Sequence, residues 1–256
     1  MRVKNICIFI SNYGSHQKQY LHKILKCINE YKNYNSSVFL FSTTEDNLLN
    51  NYNNIKIQNF IYPENINLNL AFQHKLFLKN NFETLKTKFD IFIGLENDIL
   101  LKENTIEYFE KYQEKIDSKK YAIGTLRYEI KNNERYYTDT GGKSFEELFE
   151  PILLIDNKPF FITKHNPHSG MFIFTKDQIQ DLLDRNINLT PHNDLESSIT
   201  NFYNKPWPGS NDGIQKIISL HDIDEISVHH LPNKYVNDQT WMAKYNPKTA
   251  KELKIC

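Results

Sequence analysis

One stretch, residues 89–101 (FDIFIGLENDILL), constrains this chain more than any other. An apolar run of strand length stops at Glu96-Asn97-Asp98 and turns apolar again, the pattern of a strand buried on both faces. Two carboxylates at the end of such a strand are costly to desolvate unless a cation or a polar ligand meets them. In an open α/β sheet the carboxyl ends of the strands are also where ligands collect. The segment therefore predicts a metal-assisted site at a sheet edge. The alternative is an acidic loop that caps the helix after it, where Asp98 favours the helix dipole.

The flanking sequence supplies the sheet. Residues 3–10, 37–41 and 55–61 read as strands. Between the first two, residues 16–31 place Tyr20, Leu21, Ile24, Leu25 and Ile28 on one helical face, with Ser15 as the expected N-cap. A helix over about 68–86 precedes the acidic strand, a helix over 103–116 follows it, and 121–125 is strand-like. This alternation predicts an α/β fold with a mostly parallel central sheet flanked by helices.

The second half is less regular. Short strands or hairpins are expected over 135–139 and 152–162, with Asp156-Asn157 as a turn. A buried strand follows over 169–174, then a helix over 176–183, a helix from Asp194, and a last strand over 223–228. There is no internal repeat and no Gly-, Ser- or Pro-rich linker. One domain spanning 1–256 is expected, with about 1–130 as a ligand-binding half and about 131–256 as a second half ending in a polar tail.

Composition excludes several classes. The chain has 256 residues, 39% hydrophobic and 13% aromatic, enough for a sizeable core. Its 31 basic and 31 acidic residues cancel, which argues against nucleic-acid binding driven by overall positive charge. Three cysteines, Cys7, Cys27 and Cys256, are widely spaced and form no Cys-x-x-Cys pair, so neither a disulfide framework nor a cysteine zinc site is supported. No apolar run reaches transmembrane length and the first ten residues lack the pattern of a signal peptide. A soluble, cytoplasmic protein is expected.

Other constellations could carry chemistry. His229-His230 ends the last expected strand and is followed by Lys234. A histidine is a natural extra ligand for Mn²⁺ and a lysine a natural partner for phosphate, although both histidines could equally be surface residues. Asp194 and Glu196 stand at an expected helix start, where a carboxylate could serve as general base or could simply cap the helix. In residues 165–170, His165 and His168 have no third ligand at fixed spacing, and Ser169-Gly170 would let an acceptor or phosphate approach the backbone. Trp207, in a proline-flanked loop, is a packing residue or a stacking face for a sugar.

The loop Ser11-Asn12-Tyr13 and the segment Thr43-Thr44-Glu45-Asp46 end the first two strands at the edge where a nucleotide would lie. No Gly-x-Gly-x-x-Gly or Walker-type loop occurs.

The order of these parts resembles a GT-A fold glycosyltransferase. Leu95-Glu96-Asn97-Asp98-Ile99-Leu100 is similar to the Glu-Asp-Asp-Ile form of its Asp-x-Asp motif, with Asn97 where the middle acid often stands. Gln73-His74-Lys75 resembles the segment that commonly precedes it. The resemblance implies a GT-A-like fold and a nucleotide-sugar donor held with Mn²⁺ or Mg²⁺. Asp98 would be the metal ligand, Glu96 would support it, and His229 or His230 would be a further ligand. Ser11, Asn12, Thr43, Glu45 and Lys234 would lie along the nucleotide, and Glu196, or Asp194, would be the base of an inverting transfer to an acceptor hydroxyl. Two alternatives stand beside it. One is an inactive nucleotide- or glycan-binding domain of the same fold. The other is a metal-dependent nucleotidyltransferase or phosphohydrolase, which usually needs a denser carboxylate cluster.

Overall fold

The computed structural model describes residues 3–138, 145–163, 170–187, 202–203, 213–235 and 243–244. The chain divides into two compact units. One is Met1–Glu103 with Gly170–Phe202, the other Asn104–Ser169 with Tyr203–Cys256.

Elements are numbered along the chain. The first segment holds β1 (Lys4–Asn12), α1 (Lys18–Asn29), β2 (Tyr34–Ser42), β3 (Lys56–Ile61), α2 (Leu70–Leu85), β4 (Ile91–Glu96) and the two-residue β5 (Ile99–Leu100). The next holds α3 (Glu103–Gln113), β6 (Tyr121–Ile123), β7 (Leu126–Lys131), β8 (Glu134–Tyr137), α4 (Phe145–Leu148), β9 (Phe149–Ile155) and β10 (Lys158–Thr163). The chain then returns to the first unit with β11 (Met171–Thr175) and α5 (Lys176–Asp184). It ends in the second unit with β12 (Gln215–Ile218), α6 (Ile223–Ile226), β13 (Ser227–His230) and β14 (Ala243–Lys244).

The first unit is built on a five-stranded sheet of order β11-β4-β1-β2-β3. Its four leading strands run parallel, and β11 joins antiparallel to β4. β1 and β4 are buried on both faces, as continuous apolar runs require. On one face Phe9, Phe39, Phe41 and Phe92 form an aromatic cluster, and Phe77 of α2 packs into it at centroid distances of 5.2–6.3 Å from Phe9, Phe39 and Phe41. Each buried ring contributes about 1.5–3 kcal/mol. Gly94 in β4 is required by close packing: a Cβ there would sit 2.2 Å from the Phe172 ring of β11.

The second unit carries two mixed sheets, β6-β12-β10-β9 and β14-β8-β7-β13. The expected single, mostly parallel sheet thus describes the first unit alone, and the chain as a whole is a mixed α/β protein with several sheets.

Three local expectations change. Ser15 does not cap α1: a 3₁₀ turn over Ser15–Gln17 precedes the helix, and Gln17 stands at its N-cap without a side-chain hydrogen bond. Residues 223–226 form the helical turn α6 rather than a strand, because Ile223 and Ile226, three apart, are buried while Asp224 and Glu225 face water. Strand β7 was not anticipated, since it buries Arg127 and Glu129, which disguise its pattern. No helix of the described residues is long and apolar enough to cross a membrane.

Candidate functional site

Parallel pairing puts three strand ends of the first unit at one level. Ser11 in β1 is opposite Glu96 in β4 and Phe41 in β2, and Asn12 is opposite Ser42. The loops that follow these strands, all candidate ligand-binding segments, therefore emerge side by side at the carboxyl edge of the sheet. Asn12, Ser42, Thr43, Asn97 and Asp98 are buried there, Ser11 and Glu96 are half-buried, and Glu45 is exposed.

Asn97 and Asp98 form the tight turn between β4 and β5. Glu96 is fixed by its own backbone, whose N–H donates to Gly170 O at 2.9 Å. Gly170 has φ +67°, and a Cβ on it would meet Ile99 at 2.5 Å and Glu96 Oε2 at 3.0 Å. Its glycine is therefore demanded by the acidic turn itself. This accounts for Gly170 without the acceptor or phosphate that the sequence suggested.

The polar interior of the edge is a directed chain of hydrogen bonds. Asn97 Nδ2 donates to Asn12 Oδ1 at 2.8 Å, and Asn12 Nδ2 donates to Ser42 Oγ at 2.9 Å. Ser42 Oγ donates to Thr44 O at 2.8 Å and accepts from Thr44 N–H at 3.1 Å. The backbone sets the direction. A carbonyl can only accept, so Ser42 gives its proton to Thr44 O, Asn12 must donate to Ser42, and Asn97 must donate to Asn12. A carboxylate at position 97 could not make that last bond in this sense. The amide that departs from the middle acid of the motif is thus the residue this chain needs.

The β2 loop is held from other sides too. Gly14 N–H donates to Thr43 Oγ1 at 3.1 Å, and Lys18 Nζ donates to Glu45 O at 2.7 Å. Asp46 accepts from Leu48 N–H at 3.0 Å and lies 2.8 Å from His22 Nε2, whose Nδ1 is 2.7 Å from the Tyr52 hydroxyl. Burial, then the Asp46 charge, pushes the Tyr52 phenol up, so it stays protonated. Asp46, Tyr52, Ile57 and Asn59 line a cavity of about 330 Å³ beside the loop.

Sequence reasoning named Gln73-His74-Lys75 only by resemblance. Lys75 is fully buried in α2, with Nζ 5.2 Å from the Phe202 ring centroid. His74 lies against the rings of Phe9 and Phe172 at 6.2 and 5.5 Å. Burial, then the neighbouring Lys75 charge, drives its pKa well below the ordinary histidine value, against a backbone hydrogen bond to Ala71. A buried lysine in the unit that carries the acidic turn is a functional candidate that periodicity hid, because position 75 falls on the apolar face of α2.

His229, His230 and Lys234 belong to the second unit. His229 stacks on Tyr128 at 5.0 Å with 9° between planes, and its Nε2 is 3.2 Å from Asn233 Oδ1. His230 is buried, with Nδ1 2.5 Å from Glu129 Oε1, while Glu129 Oε2 accepts from Tyr235 N–H at 2.8 Å. The Glu129 carboxylate fixes the orientation of the His230 ring through Nδ1, the kind of carboxylate–histidine contact that also orients metal-ligating histidines. Glu129 was not foreseen, since it lies in the unanticipated strand β7. Lys234 is exposed and its Nζ lies 4.9 Å from the Tyr235 ring centroid. Among the described residues no three His, Cys, Asp or Glu side chains form a metal-binding group. Asp194, Glu196, His165, His168, Ser169 and Trp207 lie outside the described residues.

No protein-family model and no curated protein matches the chain. Among solved structures it is similar to the crystal structure of S. aureus TarS 1–349, at 12% identity and a TM-score of 0.46, over 84% of this chain and 60% of that one. The chain thus spans about 60% of that structure's length.

Proposed function

We propose that the chain is a metal-dependent glycosyltransferase that moves a sugar from a nucleotide-sugar donor to an acceptor hydroxyl, with inversion. The observation that carries this reading is the edge of the first unit. Three parallel strand ends meet there in register, and the turn that follows β4 buries Asp98 beside the half-buried Glu96. The donor set is hard oxygen, which fits Mn²⁺ or Mg²⁺ when ligand phosphates and water complete the shell. Such an ion, when bound, neutralises a departing diphosphate as a Lewis acid.

The reading assigns these roles to the chain's own residues. Asp98 is the carboxylate offered to the cation, with Glu96 in support. Ser11, Asn12, Thr43 and Glu45 lie along the nucleoside end, where the β1 and β2 loops emerge. His229 or His230 is the further ligand in this reading, and the Glu129 contact at Nδ1 favours His230. Glu196, or in its place Asp194, takes the acceptor proton, and Lys234 meets phosphate.

Hydrolysis of nucleotide-sugars without acceptor tests the reading. Slow Mn²⁺-dependent turnover, abolished by Asp98→Ala and cut at least about 10²-fold by Glu196→Gln, is expected. Tight binding with no turnover under any condition would instead mark an inactive binding domain.

A further inference from the structure

The chain Asn97–Asn12–Ser42–Thr44 connects the two ends of the proposed site. At one end it reaches the turn that carries Asp98, and at the other the backbone of the β2 loop. Asn12 and Ser42 are shielded from water, at 1% and 0% exposure, and Asn97 is 7% exposed. Water is therefore a poor substitute for any link, and a buried amide that loses its partner carries the full desolvation cost. The three side-chain donors, Asn97 Nδ2, Asn12 Nδ2 and Ser42 Oγ, point the same way, toward Thr44 O. Linked bonds of one sense polarise one another, so a change at one end is felt at the other.

We infer that Asn97 is a positioning residue that couples occupancy of the nucleoside end to cation affinity at Asp98. This rests on the reading of the edge as a nucleotide-sugar site, and it adds a regulatory property to that site. A nucleoside that settles on the Thr43–Thr44 backbone fixes the carbonyl that terminates the chain. That fixes the Ser42 hydroxyl, then the Asn12 amide, then the Asn97 side chain, and so orders the turn that presents Asp98. By reciprocity the cation tightens nucleoside binding by the same factor. The middle amide thus has a function of its own: only a donor at position 97 completes the chain.

The test uses nucleosides that have no phosphate, so that nothing bridges the two ends directly. Mn²⁺ is titrated calorimetrically into the full chain alone and in the presence of millimolar uridine, cytidine, guanosine or adenosine. For at least one nucleoside the Mn²⁺ dissociation constant is expected to fall about fivefold or more. In Asn97→Ala the factor should collapse toward one. Ser42→Ala, which breaks the middle link and touches neither proposed ligand, should do the same and serves if Asn97→Ala does not fold. A merely structural role would weaken both ligands and leave the ratio intact. A wild-type ratio of one for every nucleoside, or an unchanged ratio in both variants, overturns the coupling. Failure of wild type to bind Mn²⁺ together with any nucleotide-sugar would overturn the functional reading as well, and the two failures are thereby told apart.

Discussion

Asn97 shows how a single side chain acquires meaning only from its partners. In the sequence it is a departure from an acidic motif. In the structure it is the donor that a buried asparagine and a backbone carbonyl require. We predict that Asn97→Ala lowers unfolding free energy by about 1–3 kcal/mol, the cost of an unsatisfied buried amide, measured by urea denaturation. Gly94→Ala is expected to cost about 1–3 kcal/mol or more through overpacking, since its methyl would enter the Phe172 ring. A neutral Gly94→Ala would refute the close approach of β4 and β11. At this scale the sequence made Asp98 and Glu96 legible, because acids ending an apolar run stand out. It hid Glu129, and marked Lys75 by resemblance alone, because charged residues within buried elements look like noise to periodicity.

At the scale of elements, periodicity told most where one face is apolar. The helices α1, α2, α3 and α5 and the strands β1 to β4 lie where their patterns place them, shifted by a few residues. The β9–β10 hairpin turns on Asp156 and Asn157 with φ 52° and 61°, the left-handed pair that such a turn demands. Strand β12 and helix α6 are too short for period alone to specify. Helix α5 begins in a capping box between Thr175 and Gln178, and Thr175→Ala is expected to cost about 1 kcal/mol of stability.

Helix α2 carries a pH signature. His74 is held well below its ordinary value of 6.5, so the unfolded chain takes up a proton before the folded one as pH falls. Stability from this group is therefore intact above pH 6.5 and is lost below it, at about 1.4 kcal/mol per pH unit. His74→Leu should show a shallower decline between about pH 6.5 and 5 in denaturation midpoints. A slope identical to wild type would mean that His74 titrates in the native state as it does in the unfolded chain.

For the whole molecule, the chain is interleaved. It leaves the first unit after Glu103 and returns at Gly170 to add β11 and α5. The acidic turn depends on that return, since Gly170 accepts the Glu96 N–H. A sequence read from one end to the other suggests two consecutive halves, because nothing in local periodicity marks a strand that goes back to an earlier sheet. The candidate site was legible as a set of loops on one sheet edge, and its internal wiring was not, because hydrogen-bond direction is a property of three-dimensional neighbours.

This edge is proposed to bind a nucleotide-sugar through a divalent cation at Asp98. Thermal denaturation across a panel of nucleotide-sugars, with and without Mn²⁺, tests it most directly. Ligand saturating at about a hundred times its Kd stabilises a fold by about 2.7 kcal/mol. A rise in Tm of several degrees is expected for at least one nucleotide-sugar, present only with Mn²⁺ and lost in Asp98→Ala. No shift with any nucleotide-sugar in the presence of Mn²⁺, or a shift that Asp98→Ala leaves unchanged, would contradict it.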